Sequence, residues 1–272
     1  MSTVSSQGLQ LADYDYSWTL SRSRWAWEFL RRNPEFREEA AKRDPEEISR
    51  RVACNNIEVL RPKVDQADAE RWGLAFFPNV DENGIDADVF WNAALYPRSM
   101  NVQVTPRHPG EVDDIFERSV RACRITHLTD TSGREYLLLR GNNHVVQVGC
   151  TGLSLLSVEP VKMKIVIEAV TSLDESLTII ERAKPLYRTD QQNAPPEWTR
   201  TSLAFRNAII SLDAHAQRLS YLETASIIYG SKRASEAWSG PSRAMKDEMK
   251  RALARGRDLR DGGYRALLSP PT

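Results

Sequence analysis

The sequence predicts an α+β protein, mainly helical, in which an N-terminal helical domain and a C-terminal helix-turn-helix-like bundle flank a small central β-hairpin and sheet region. Three observations predict it. Proline-led helix starts, Asn33-Pro34-Glu35 and Asp44-Pro45-Glu46, punctuate the front of the chain. Two β-rich runs in the middle surround Gly141-Asn142-Asn143. Near the end, Phe205, Ile209, Leu212, Ala216 and Leu219 recur at helical spacing and share one face. The divisions that follow are 1–62, 63–184, a linker at 185–198, and 199–272.

In the first division, Ser23 to Arg32 is dense in aromatic residues and stops at Asn33-Pro34. At both proline-led starts the Asn or Asp is a cap, the proline fits the first turn, and the glutamate suits the positive end of the helix dipole. The last helix is expected to run through Ile48, Val52 and Ile57 towards Pro62. Trp25, Phe29, Leu30 and Phe36 are the expected small core.

The second division carries strand signals. Arg134 to Arg140 and His144 to Val148 read as a hairpin around the Gly/Asn turn. Val161 to Ile167 begins with apolar/basic alternation and fits a half-buried strand. Ser172 with Glu175 reads as a capping box opening a helix through Leu177, Ile180 and Ala183. Phe76-Phe77-Pro78 and Phe90-Trp91 lie among turn residues and are given no element. The stretch from Pro185 to Trp198 is polar and proline-interrupted, hence the linker.

In the third division, Ser220 and Glu223 form a second capping box. The short helix they open, through Leu222, Ala225 and Ile228, ends at Gly230, as the first helix of a helix-turn-helix requires. Ser231 to Gly240 reads as a connector. Pro241 then opens a long helix to about Arg257. Its apolar side is Met245, Met249, Ala252 or Leu253, and Gly256; its other side carries Arg243, Lys246, Lys250 and Arg257, with Arg251 and Arg255 flanking. Asp261-Gly262-Gly263-Tyr264-Arg265 reads as a turn that makes a small wing.

Charge gives this layout its chemical meaning. The 272 residues hold 37 basic and 37 acidic side chains, a formal balance of zero. Residues 199–272, however, contain 13 Lys/Arg and 7 Asp/Glu, a local +6, and the first 198 residues hold 24 and 30, a local −6. A ligand responds to the local field within a Debye length of ~8–10 Å. One helix with cations on one side and a packing face on the other suits the major groove and its phosphates. The candidate DNA contacts are Arg243, Lys246, Lys250, Arg251, Arg255 and Arg257, with Lys232 and Arg233 in the preceding connector. A second reading stands beside this one: a protein-interaction regulator, of antiactivator or assembly type, whose basic helix is merely solvated.

Other classes find little support. Charged residues make up 27% and no long apolar run occurs, so no membrane span is expected. The N-terminus lacks a basic segment followed by an apolar one, and Cys54, Cys123 and Cys150 are odd in number and far apart. A reduced, cytoplasmic protein is the expectation. His108, His127, His144 and His215 are isolated, and no phosphate-cradling glycine loop, nucleophile elbow or H-E-x-x-H motif appears. The acidic pairs Asp81-Glu82 and Asp113-Asp114 stand in loop-like sequence. No enzyme, cofactor or metal is expected.

Tyr16 through Arg37, centred on Trp25-Ala26-Trp27-Glu28-Phe29-Leu30-Arg31-Arg32-Asn33-Pro34, resembles the transcriptional-regulator-like domain of many proteobacterial proteins. Leu222 to Gly230, Arg251 to Arg257 and Gly262 to Leu268 resemble a second family. The two together are similar to the FseA-type activators of integrative and conjugative element excision, and the C-terminal part is similar to the RovC activator of type VI secretion genes. The resemblance implies an activator that binds promoter DNA, switches on a directionality-factor gene, and has a small antiactivator as a partner. RNA polymerase is the further partner of any such activator, and a homo-oligomer is expected because DNA activators often work as symmetric assemblies.

Overall fold

The computed structural model describes residues 8–53, 57–96, 99–111, 123–141, 144–167, 173–187 and 197–269. The chain opens with a 3-10 helix, Leu11–Thr19, followed by α1 (Arg22–Leu30) and α2 (Pro34–Ala41). Asn33 caps α2 by accepting from the Phe36 N–H at 3.0 Å, with Pro34 in the first turn. Every residue of α1 from Ser23 to Leu30 is buried, including Arg24 and Glu28. Burial all round is tolerable only because both charges are satisfied. Arg24 donates to the carbonyls of Ala87 and Val89 at 3.1 and 3.3 Å. Glu28 accepts from Arg31, Arg32 and the Gly84 N–H at 2.8, 2.6 and 2.6 Å.

The centre is larger than the small hairpin region expected, and the mainly helical assignment gives way to a mixed α and β architecture. A seven-stranded mixed sheet runs in the order β1-β2-β4-β5-β6-β3-β7. Its strands are β1 (Ile48–Val52), β2 (Glu58–Pro62), β3 (Met100–Pro106), β4 (Arg124–Thr129), β5 (Glu135–Gly141), β6 (His144–Gly152) and β7 (Val161–Val166). The pairs β2–β4 and β3–β6 are parallel, and the other neighbours are antiparallel. The expected hairpin is β5–β6, although its Asn142-Asn143 turn lies outside the described residues. The expected helix through Ile48 and Val52 is instead the edge pair β1–β2, with Asp44-Pro45-Glu46 forming only a short 3-10 turn. Spacing i, i+4 lies on one face of a strand as well as of a helix, so Ile48 and Val52 satisfied both periods; the β-branched residues and the Arg50–Glu58 ion pair across the two strands, at 3.0 Å, belong with the strand.

Both faces of the sheet are covered. On one side Val102, Leu137, Leu139 and Val148 pack with Ala183 and Leu186 of α4 (Leu173–Tyr187). On the other, Leu60, Leu128, Tyr136 and Leu138 pack against Phe76 and Phe90. These two phenylalanines belong to the irregular segment after α3 (Ala67–Glu70), which is pinned by a bridge between Leu74 and Trp91. The Ser172 cap of α4, Cys54, Asp113-Asp114 and residues 188–196 of the proposed linker lie outside the described residues.

Four helices follow: α5 (Arg200–Ala216), α6 (Tyr221–Tyr229), α7 (Ser231–Ser239) and α8 (Ala244–Arg260), then a 3-10 turn at Gly263–Leu267. The connector expected at Ser231–Gly240 is therefore itself a helix. The wing expected at Asp261–Arg265 is a helical turn whose Tyr264 is buried, stacks on Trp91 and donates to the Trp72 carbonyl at 2.9 Å. The N-terminal helices and this C-terminal group share one hydrophobic core that contains Trp25, Phe29 and Phe36 together with Ile209, Met249 and Leu253. Phe205 of α5 lies 5.4 Å from Trp25 and 5.8 Å from Phe29, centroid to centroid.

Candidate nucleic-acid interface

The interface is built on α6, α7 and α8. Local chemistry starts α6: Ser220 accepts from the Glu223 N–H, and the Glu223 carboxylate accepts from the Ser220 N–H at 2.7 Å. The Ser220 hydroxyl and N–H hold the Glu223 carboxyl below its ordinary range. Gly230 stops the helix at φ +85 and ψ 146, a conformation closed to residues with a Cβ. It also begins α7, so one residue joins two helices of nine residues each.

Helix α8 packs by its apolar side. Met249, Leu253, Gly256 and Leu259 are buried. Gly256 sets the separation from α5, because a Cβ there would lie 2.8 Å from Leu212 Cγ and 2.9 Å from the Ala208 carbonyl oxygen. The cations expected to face DNA all emerge on the solvent side: Arg243, Lys246, Lys250, Arg251, Arg255 and Arg257 are exposed, as are Lys232 and Arg233 of α7. Arg243 stands just ahead of the helix at its cap position.

Some of these cations are held and others are free. Arg233 lies over the Tyr229 ring at 5.2 Å, and the Lys246 ammonium lies 5.9 Å from the Trp238 ring centroid. Arg257 meets His215 Nε2 at 2.8 Å. Among the described residues Lys232, Arg243, Arg251 and Arg255 form no ion pair. The acidic residues that interrupt the stripe are partly engaged. Glu248 accepts from the Tyr229 hydroxyl, and Asp247 stands 3.9 Å from Lys250. Burial and the adjacent Glu248 carboxylate push the Tyr229 phenol up, so it remains a donor. Tyr229 thus links α6 to both neighbours, supporting Arg233 with its ring and Glu248 with its hydroxyl.

Sequence reasoning picked out Lys232 and Arg233 but not the rest of the outward side of α7. Ala234 is buried and Trp238 half-buried, and the opposite side presents Lys232, Ser235, Glu236 and Ser239, all exposed. So little of this helix is buried that no apolar stripe advertises it. The available signal was the absence of any glycine or proline between Gly230 and Gly240. Among the described residues no group of three or more His, Cys, Asp or Glu side chains is placed to hold a metal ion, and no helix is long and apolar enough to cross a membrane.

Residues 161–269 match the family model described as "T6SS, Transcription factor, DNA binding domain", of RovC type, and residues 10–77 match the model described as "Proteobacterial transcriptional regulator-like domain". No curated protein matches the chain. The chain carries a transcriptional-regulator-like domain towards one end and a DNA-binding domain towards the other, the composition of a DNA-binding transcriptional regulator. Both families are families of regulators rather than enzymes. The first match takes in β7 and α4 as well as the four C-terminal helices.

Proposed function

We propose that this protein is a sequence-specific transcriptional activator that contacts promoter DNA through Lys232, Arg233, Arg243, Lys246, Lys250, Arg251, Arg255 and Arg257, with 199–272 as its DNA-contacting unit. One observation carries the reading. Helix α8 is fixed in the core by Met249, Leu253, Gly256 and Leu259 while its solvent side presents exposed cations, several with no acidic partner among the described residues. Solvated helices tend to intersperse and pair their charges; phosphate-binding ones leave cations available. The local +6 of this division supplies attraction, and the −6 of the rest of the chain limits non-specific affinity.

The similarity of the two ends to FseA-type activators supports a narrower reading, in which the target is a directionality-factor gene of an integrative and conjugative element. RNA polymerase, a small antiactivator and further copies of the chain are the partners in that reading. The test is fluorescence anisotropy with the full-length protein and duplexes from upstream of its neighbouring genes. Binding should weaken steeply with salt, and an Arg243/Lys246/Lys250 triple alanine variant should flatten the log–log salt slope by about 3. Absence of binding at low salt, or an unchanged slope in the triple variant, rejects the assignment.

A further inference from the structure

We infer that α7, and not the longer α8, is the helix that reads base edges, with Glu236 and Lys232 as the specificity-determining side chains; the inference rests on the DNA-binding reading above. The basic helix looks like the reading helix from sequence because its cations are many. The structure gives the two helices different kinds of surface. The buried side of α8 runs from Met249 to Leu259, and its exposed cations are spread broadly around the solvent side opposite it. Side chains so placed reach phosphates on either side of a groove.

Helix α7 has the opposite build. It follows a capped helix through a single glycine, a tighter join than the three- to four-residue turn of a helix-turn-helix, and the backbone of Gly230 sets the direction in which α7 leaves. Its inward contacts are small, Ala234 and Ala237, apart from Trp238. Lys232, Ser235, Glu236 and Ser239 stand at i, i+3, i+4 and i+7, one outward stripe along the whole helix. The Lys246 ammonium near Trp238 and the Arg233–Tyr229 stack hold this stripe beside the start of α8.

The composition of the stripe is the decisive point. A surface that binds only phosphates gains nothing from a carboxylate at its centre, since Glu236 would repel them. A base-reading surface does gain, because the cytosine N4 amino group donates in the major groove and a glutamate accepts it. Lysine matches guanine O6 and N7, and serine hydroxyls serve either base type. Glu236 has no ion-pair partner among the described residues, so its carboxylate is available for that bond. The stripe therefore fits a short G/C-containing step flanked by phosphates held from α8.

The experiment is selection from a randomised duplex pool with the full-length protein, followed by anisotropy on the selected duplex and a scrambled one. The wild-type chain should select a consensus. Glu236→Gln should lose about tenfold of the preference at one base pair, while affinity for the scrambled duplex holds or rises. Lys232→Ala should relax a neighbouring position. An Arg251→Ala/Arg255→Ala variant should weaken both duplexes alike and leave the selected sequence unchanged. All the substituted residues are exposed, and circular dichroism checks that the variants fold. The proposal is overturned if the α7 variants select the wild-type sequence with the wild-type ratio, if the α8 variant changes it, or if the wild-type chain binds duplexes with no consensus. That last result would leave DNA binding itself intact, whereas failure to retain any duplex at low salt would reject both readings.

Discussion

Arg32 and Asp213, 181 residues apart, meet in a two-point ion pair, Nε to Oδ1 at 2.8 Å and Nη2 to Oδ2 at 2.9 Å. The same guanidinium reaches back to the Glu28 carboxylate at 2.6 Å, and the Tyr14 hydroxyl donates to Asp213 at 2.8 Å. The fully buried Glu28 therefore belongs to a polar network that ties the front helices to α5.

Removing the central member should cost more than the pair contributes. Arg32→Ala leaves Asp213 with the Tyr14 hydroxyl but no cation, and Glu28 with Arg31 as its one cation beside the Gly84 N–H, so a loss of about 3–5 kcal/mol is expected. Arg32→Lys keeps the charge but not the planar fork and should recover only part of it. Urea unfolding of the two variants checks both statements.

Acid should weaken the fold through the same groups. Burial raises the Glu28 carboxyl, but Arg32 and Arg31 outweigh it and hold the folded-state value below the ordinary 4.5. Asp88 behaves likewise: burial is outweighed by Arg140 and Arg50, and its value lies below 3.8. A depressed folded-state value means that the unfolded chain takes up protons first. The stability these carboxylates contribute is present above the ordinary values and is lost as pH falls through the folded-state ones. Denaturant midpoints measured between pH 7 and 3 should fall at the acid end, with a shallower fall in Glu28→Gln.

Gly256 should tolerate added bulk poorly at its helix crossing. An added Cβ lies 2.9 Å from a backbone oxygen, that of Ala208, which cannot rotate away. Alanine would gain about 1 kcal/mol of helix propensity, and overpacking should cost ~1–3 kcal/mol. Gly256→Ala should be neutral to destabilising and Gly256→Val plainly destabilising, read from thermal unfolding.

At Gly230 the difficulty is conformational. Nothing lies within 4 Å of the Cβ that Gly230→Ala would add, so space is not at issue; φ of +85 is. The strain should cost ~1–3 kcal/mol or be relieved by re-aiming α7. Thermal unfolding reads the first outcome, and a change in duplex preference at unchanged melting temperature reads the second.

The parts of this fold legible in the sequence are those decided within one turn. Asn33-Pro34 and Ser220/Glu223 act on backbone groups three residues away, and Gly230 acts on its own backbone. The edge strand β1 was ambiguous because Ile48 and Val52 suit either period. β3 was missed because its partner lies far along the chain, Met100 opposite Val148, whereas β4 pairs with the next strand, Thr126 opposite Leu138, and was missed because its apolar Ile125 and Leu128 stand three apart, off the period of two. Helix α7 escaped notice because Ala234 is its one fully buried residue. The cations of α8, by contrast, were legible, since a basic stripe opposite an apolar one needs only local spacing. No local pattern announces that Trp25 will touch Phe205.

That aromatic contact bears on how such proteins can be recombined. A hybrid taking its front from one relative and its C-terminal helices from another would need compatible residues at Trp25, Phe29, Arg32, Phe205 and Asp213 at once. A crossover in the polar stretch between α4 and α5 breaks no pattern visible in the sequence, yet it separates both sides of this lock. Parents that have drifted independently at these positions should therefore yield insoluble hybrids, whereas exchanging only the outward residues of α7 should leave the scaffold intact.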